Sequence, residues 1–205
     1  MLRDQALAVS RLLVDQVGGP SVNPPQPDGL WFAVGYSGSN TVRFKQDKGP
    51  DKVYRRSLYT FWKRTSPPPE MTTFDAPSRE SCIARRERTN TPLQALLLMN
   101  DPQYVEAARH LAQRALSEAG PSDPERAAWL FQQVTLRPPT ASELEELLAL
   151  QRDCQTTYKK NLDAAKALIA IGETPPAGSL DPAELATWTM VANLILNLDE
   201  VITKG

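Results

Sequence analysis

Five times after Asn90 the chain sets a capping residue directly before a proline, or three positions before a Gln or Glu. The sites are Thr91-Pro92-Leu93-Gln94, Asp101-Pro102, Asp123-Pro124, Thr140-Ala141-Ser142-Glu143 and Asp181-Pro182-Ala183-Glu184. Proline lacks an N–H and holds φ near the helical value, so it suits the first turn of a helix and breaks the interior. A Thr or Asp just ahead accepts a bond from the exposed N–H groups of that turn, and a Gln or Glu three residues on returns the favour. The 18 prolines among 205 residues are therefore read as helix starters, not as a sign of disorder. Behind the starts, apolar residues recur at helical spacing: Val105, Ala108, Leu111, Ala112 and Ala115, then Leu144, Leu147 and Leu148, then Leu185, Trp188, Val191 and Ile195. Each stripe has a polar back, the pattern of a small bundle. The expected fold is mainly α, with a helical bundle over residues 91–205.

Residues 1–90 read differently. Leu2, Ala6, Val9 and Leu13 share one helical face, and Gly18-Gly19-Pro20 predicts a stop, giving a helix over residues 2–17. From Pro20 to Lys52 the chain is rich in Pro, Gly, Ser and Asn and reads as loop. That loop holds Trp31, Phe32, Tyr36 and Phe44, rings expected to be exposed without a partner surface. Residues 53–64 are dense in aromatic and β-branched types, which predicts a short strand with Leu58, Thr60 and Trp62 on one face, a single helical turn being the alternative. Residues 70–90 read as irregular, with one helical turn near 81–85. The first 90 residues are thus an N-terminal helix and a loop-rich basic segment with at most one or two short strands.

The formal net charge of −1 conceals an uneven layout. Residues 43–88 hold twelve bases against six acids, whereas residues 141–205 hold ten acids and five bases. Cations interleave with rings in the stretch from Tyr54 to Arg64, a mixture that nucleic-acid binders use. The overall balance and the lack of a recognised motif argue against nucleic acid as the partner. One histidine and two cysteines cannot build a zinc, di-iron or covalent haem site, so no metal or cofactor is expected. Cys82 and Cys154 are read as ordinary packed thiols. The N-terminus carries charges at Arg3, Asp4 and Arg11, unlike a signal peptide, and no apolar run approaches the roughly 18–20 residues of a transmembrane span. A cytoplasmic location is the default on these grounds.

One constellation reads as a binding site. Arg85, Arg86 and Arg88 lead into the helix start at Thr91, where unpaired N–H groups and the helix dipole favour an anion. An acidic side chain of the chain itself could fill the same place. His110, beside Arg109 and off the apolar stripe, is read as a solvent-facing helical residue. No phosphate loop, dinucleotide fingerprint or nucleophile elbow occurs.

Four stretches together carry a family resemblance: residues 18–31 (GGPSVNPPQPDGLW), 54–69 (YRRSLYTFWKRTSPPP), 74–82 (FDAPSRESC) and 85–96 (RRERTNTPLQAL) with Asn100-Asp101-Pro102. They resemble the C-terminal domain of unknown function 1553 of planctomycete proteins that also carry a cytochrome-c-like module and a second uncharacterised domain. The resemblance implies a large exported protein, with a periplasmic or cell-surface location, and upstream domains as partners. It implies no catalytic residue. In relatives, further chain precedes the segment matching residues 1–17, so the partner of the first helix is expected upstream. The functional expectation is a non-catalytic accessory module that contacts partner domains or an anionic glycan through residues 43–88. The alternative is part of an enzyme active site, completed by upstream residues, acting on an anionic substrate such as a sulfated polysaccharide.

Overall fold

A computed structural model describes residues 1–35, 38, 41–85 and 89–203. In chain order its helices are α1 (Leu2–Val9), α2 (Leu30–Val34), α3 (Pro50–Val53), α4 (Pro69–Thr73), α5 (Pro92–Asn100) and α6 (Pro102–Glu118). There follow α7 (Asp123–Thr135), α8 (Ala141–Lys160), α9 (Leu162–Ile169), α10 (Pro182–Leu196) and α11 (Asp199–Ile202). No strand occurs among the described residues, and the fold is mainly α, as expected. The chain forms two compact units, one of residues 1–13 with 98–205 and the other of residues 14–97.

In the first unit α10 is the hub. It packs against α6, α7, α8 and α9 and buries Leu185, Trp188, Val191, Ala192 and Ile195 completely or nearly so. Facing it, α6 presents Ala108, Leu111, Ala112 and Ala115, all fully buried, and these mostly small side chains admit close packing. Thr187 and Thr189 are buried in α10 too. Each hydroxyl donates to the carbonyl four residues back (Ala183 and Leu185, both 2.7 Å), so neither hydroxyl is stranded.

The helix starts are where the sequence puts them. Asp101 accepts from Gln103 N (2.9 Å), Asp181 from Glu184 N (2.9 Å), and Thr140 forms a reciprocal box with Glu143. For α7 the cap is Ser122, boxed with Glu125, one residue ahead of the expected Asp123. Arg137 clamps the start of α8 to α11. Its guanidinium donates to both carboxylate oxygens of Glu143 (2.6 and 3.0 Å) and of Glu200 (2.9 and 3.2 Å).

The first helix departs from expectation. It ends at Val9, with Arg11 in the left-handed region (φ 61°), rather than running on to Gly18. Arg11 N–H donates to Ala8 O and Leu12 N–H to Leu7 O, the paired bonds of a Schellman stop, with buried Leu12 and Leu7 as its apolar pair. Nor does α1 wait for a partner from upstream, because it docks on α6. Buried Arg3 donates through Nε to Gln103 Oε1 (2.7 Å), and Arg114 of α6 caps α1 by donating to Val9 O.

The second unit is held by loops. The strand expected at residues 53–64 is instead a 3-10 turn, Ser57–Tyr59, flanked by isolated parallel bridges Val14–Arg55 and Val22–Thr60. With no strand alongside to pair, the backbone finds single partners: Val22 N–H donates to Tyr59 O and Phe61 N–H to Val22 O, each at 2.8 Å. Leu58 is 79% exposed while Thr60 is buried, so the expected common face does not form. The turn expected near residues 81–85 is absent, and a helix forms earlier, at α4.

Buried Arg55 organises the opposite side of this unit. Its guanidinium donates to the carbonyls of Gln16, Gly18 and Pro20 and stacks 3.8 Å from the centre of the Tyr59 ring. Gly18 and Gly19 (φ 82° and 89°) supply the left-handed turn that wraps these carbonyls around one cation. The loop rings are also less exposed than expected. Trp31 is 6% exposed, with Phe44 edge-on at 5.2 Å, Phe61 at 5.6 Å and Lys63 Nζ at 4.8 Å over its ring. Phe32 does stay out, at 68%, and Tyr36 lies outside the described residues.

Two outcomes are expected. Trp31→Ala should cost about 3 kcal/mol, as for other buried aromatic truncations. Hydrogen exchange should then quicken at the Val22, Asp47 and Phe61 amides while α10 keeps its protection; unchanged exchange at those amides would refute the anchoring role. The Arg137 bonds hold the Glu143 carboxyl down at about 2, below its ordinary 4.5. A depressed carboxyl stabilises the fold above its ordinary value and loses that contribution as the pH falls toward 2. Arg137→Gln should therefore raise the Glu143 midpoint followed by carboxyl-carbon NMR, and an unmoved midpoint would show that the clamp does not form.

Candidate functional site

The anion site expected at the start of α5 is largely filled from within. Thr91 N–H donates to Gln94 Oε1 (3.0 Å) and Gln94 N–H to Thr91 Oγ1 (3.3 Å), a closed capping box. Just ahead, Thr89 donates from both N and Oγ1 to Asp75 Oδ2, each at 2.8 Å, placing a carboxylate of the chain beside the helix start. Gln94 Nε2 ties in Thr73 O (2.8 Å) and Thr89 Oγ1 (2.9 Å). Arg85 is exposed and forms no ion pair among the described residues; Arg86 and Arg88 lie outside them.

A second cationic surface lies on the loop at residues 41–48. Lys63 Nζ donates to Thr41 O (2.6 Å), Asn23 Nδ2 to Lys45 O (3.1 Å), and Phe44 is tucked against Trp31. Arg43, Lys45 and Lys48 are exposed, and none forms an ion pair among the described residues. Other cations of the segment are engaged, among them Lys52 with Asp47 (3.3 Å), Arg56 with Asp15 (3.8 Å), Arg64 with Glu80 (2.8 Å), and Arg79 over the Trp62 ring.

Sequence reasoning missed a third cluster. Glu106 and Arg109, one turn apart on α6, are both essentially fully buried. Arg109 Nη2 donates to Glu106 Oε1 (3.2 Å) and to Thr174 O (2.6 Å), and Thr174 donates from N (2.8 Å) and Oγ1 (2.7 Å) to the same Glu106 oxygen. Gly172 (φ 114°) makes this possible, since a Cβ there would stand 2.3 Å from Glu106 Cδ. His110 is not a free surface residue either. Its Nε2 lies 2.8 Å from Thr174 Oγ1, whose proton is already directed at Glu106, so Nε2–H is the donor. Burial, and then the Arg109 charge, push the His110 pKa below its ordinary value, so the ring is neutral at pH 7. The sequence signal was faint: a Glu and an Arg at i, i+3 flanking an apolar stripe, answered by Gly-Glu-Thr after α9.

Beside this network, α6 turns a row of His110, Gln113, Arg114 and Ser117 toward an open groove of about 320 Å³. Ser10 and Arg11 close one side, and Ala177, Ser179 and Leu180 the other. Arg114 grips Glu118 bidentately (3.2 and 3.0 Å) and lies 5.0 Å over the Trp129 ring; Arg11 Nη1 reaches the same carboxylate at 2.7 Å. The hydrogen bonds from Arg114 hold the Glu118 carboxyl below its usual range.

The two cysteines are free, but Cys82 is exposed rather than packed, and Cys154 is half-buried with its thiol pKa raised by burial. Among the described residues, no group of three or more His, Cys, Asp or Glu side chains could hold a metal ion, and no helix is long and apolar enough to cross a membrane. Removing one partner of a buried ion pair typically costs about 3–5 kcal/mol. Arg109→Met should destabilise the chain by that order in urea unfolding. The double variant Glu106→Gln/Arg109→Met should recover part of the loss, and a double loss equal to the sum of the two single losses would show the pair to be uncoupled.

Neither a curated protein nor a solved structure matches the chain. A family does match, over residues 1–151, and it covers α1 through the first half of α8. It includes the Schellman stop, the Arg55 turn, the capped start of α5 and the buried pair on α6. The chain belongs to that family, described as PSD1, protein of unknown function (DUF1553).

Proposed function

We propose that this chain is a non-catalytic accessory module of a larger, exported multidomain protein of planctomycete type, and that it engages an anionic glycan or an acidic neighbouring domain through its basic segment. The observation that carries this reading is the loop of residues 41–48. Three exposed cations with no ion pair among the described residues stand on a backbone tied down by Lys63, Asn23 and the Trp31–Phe44 contact. Cations held on an ordered loop lose little conformational freedom on binding, which favours association with an extended polyanion. Because Asp75 and the Thr91–Gln94 box already occupy the start of α5, the weight of the proposal moves from Arg85 to Arg43, Lys45 and Lys48.

Retention on immobilised heparin at low ionic strength, against neutral dextran, tests the reading. The chain should be retained and should elute with added salt, as screened surface charge requires. The triple reversal Arg43→Glu/Lys45→Glu/Lys48→Glu should abolish retention with unchanged circular dichroism. If the parent chain flows through, or the triple variant is retained as before, the reading fails.

A further inference from the structure

The groove on α6 is built for more than holding the bundle together. Its polar residues come from three separate stretches: the end of α1, the outer face of α6 and the loop before α10. On α6 they fall at i, i+3, i+4 and i+7, so one face of the helix lines the groove from end to end. Its volume of about 320 Å³ is at the small end of the ~300–1,000 Å³ usual for small-molecule sites.

Two features mark the groove. Gln113 Nε2 is buried at its wall and finds no acceptor among the described residues. A stranded amide donor of this kind is costly unless something supplies an oxygen. Arg11, moreover, occupies the left-handed position of the Schellman stop, where glycine is the usual residue and a side chain is strained. The conformation turns its guanidinium toward Glu118, already held by Arg114. Two guanidinium groups thus share one carboxylate, leaving a surplus positive charge at the groove, while neutral His110 adds none.

We propose that this groove binds a small hydroxylated carboxylate, a single-ring sugar acid in size and chemistry. Its carboxylate takes the surplus charge of Arg11 and Arg114, guanidinium forks being matched to that group. Its hydroxyls exchange bonds with Ser117 and Ser179. Glu118 acts as a resident competitor for the same two cations.

D-glucuronate, D-glucose, acetate and inorganic sulfate, each titrated into the full chain and followed by calorimetry and amide chemical shifts, distinguish the possibilities. Glucuronate should bind best, with shifts centred on residues 110–118 and 177–180. Arg11→Gln, a change at an exposed side chain, should weaken it about tenfold, the equivalent of ~1.4 kcal/mol. Glu118→Gln should tighten it several-fold by releasing both cations, an outcome that no purely structural role for Glu118 produces. Reversing Arg43, Lys45 and Lys48 should leave glucuronate binding unchanged, which separates this site from the polyanion surface. Absence of glucuronate binding, equal binding of acetate or sulfate, or weaker binding in Glu118→Gln would each overturn the assignment.

Discussion

The close packing of α6 against α10 carries the first unit. Ala108, Ala112 and Ala115 present almost no side chain, and Trp188, Val191 and Ile195 fill the space they leave. A helix buried on nearly every side, as α10 is, can tolerate few polar groups, and its two buried threonines bond their own backbone rather than a neighbour. The opposite face of α6 is thereby left to polar side chains, some of them buried. There the helix carries its charged and hydroxyl-bearing side chains: Glu106 and Arg109 at the join with the 172–174 loop, then His110, Gln113, Arg114 and Ser117 along the groove.

Buried charge on α6 also fixes where the loop before α10 runs. Glu106 Oε1 accepts from Thr174 N and Oγ1 as well as from Arg109, so one carboxylate oxygen gathers three donors. Such a network is costly when incomplete and rigid when satisfied. It needs Gly172 for the close approach, and it sets His110 in one tautomer. The loop then continues past Ala177 and Ser179, so the same buried pair that orders the turn also shapes one wall of the groove.

Helix starts were legible in the sequence because their causes are local: proline, a capping side chain and a return bond span four residues. The end of α1 was misread for the converse reason. Gly18-Gly19 looks like a helix stop, yet those glycines serve to wrap three carbonyls around Arg55, a residue 37 positions beyond Gly18. The real stop uses Arg11, which no propensity would select. Likewise, alternation in residues 53–64 promised a strand, but a strand needs a neighbour, and Val14 and Val22 supply only single bridges. Glu106 and Arg109 went unnoticed as a site because their burial depends on a loop more than sixty residues away.

The two cationic places differ in a way that bears on what each can recognise. On the loop of residues 41–48, Arg43, Lys45 and Lys48 are exposed and form no ion pair among the described residues, and their charges spread along the backbone. Spread charges on an ordered strip match a long ligand with repeated negative groups, which gains by touching several at once and loses its grip as salt rises. In the groove, Arg11 and Arg114 converge on one carboxylate within 3.2 Å, on a wall that also offers amide and hydroxyl groups. Converging forks suit a single planar anion, and the neighbouring hydroxyl partners add shape selectivity that charge alone cannot give. On the two proposals above, the first surface would hold a polymer and the second a single anionic unit.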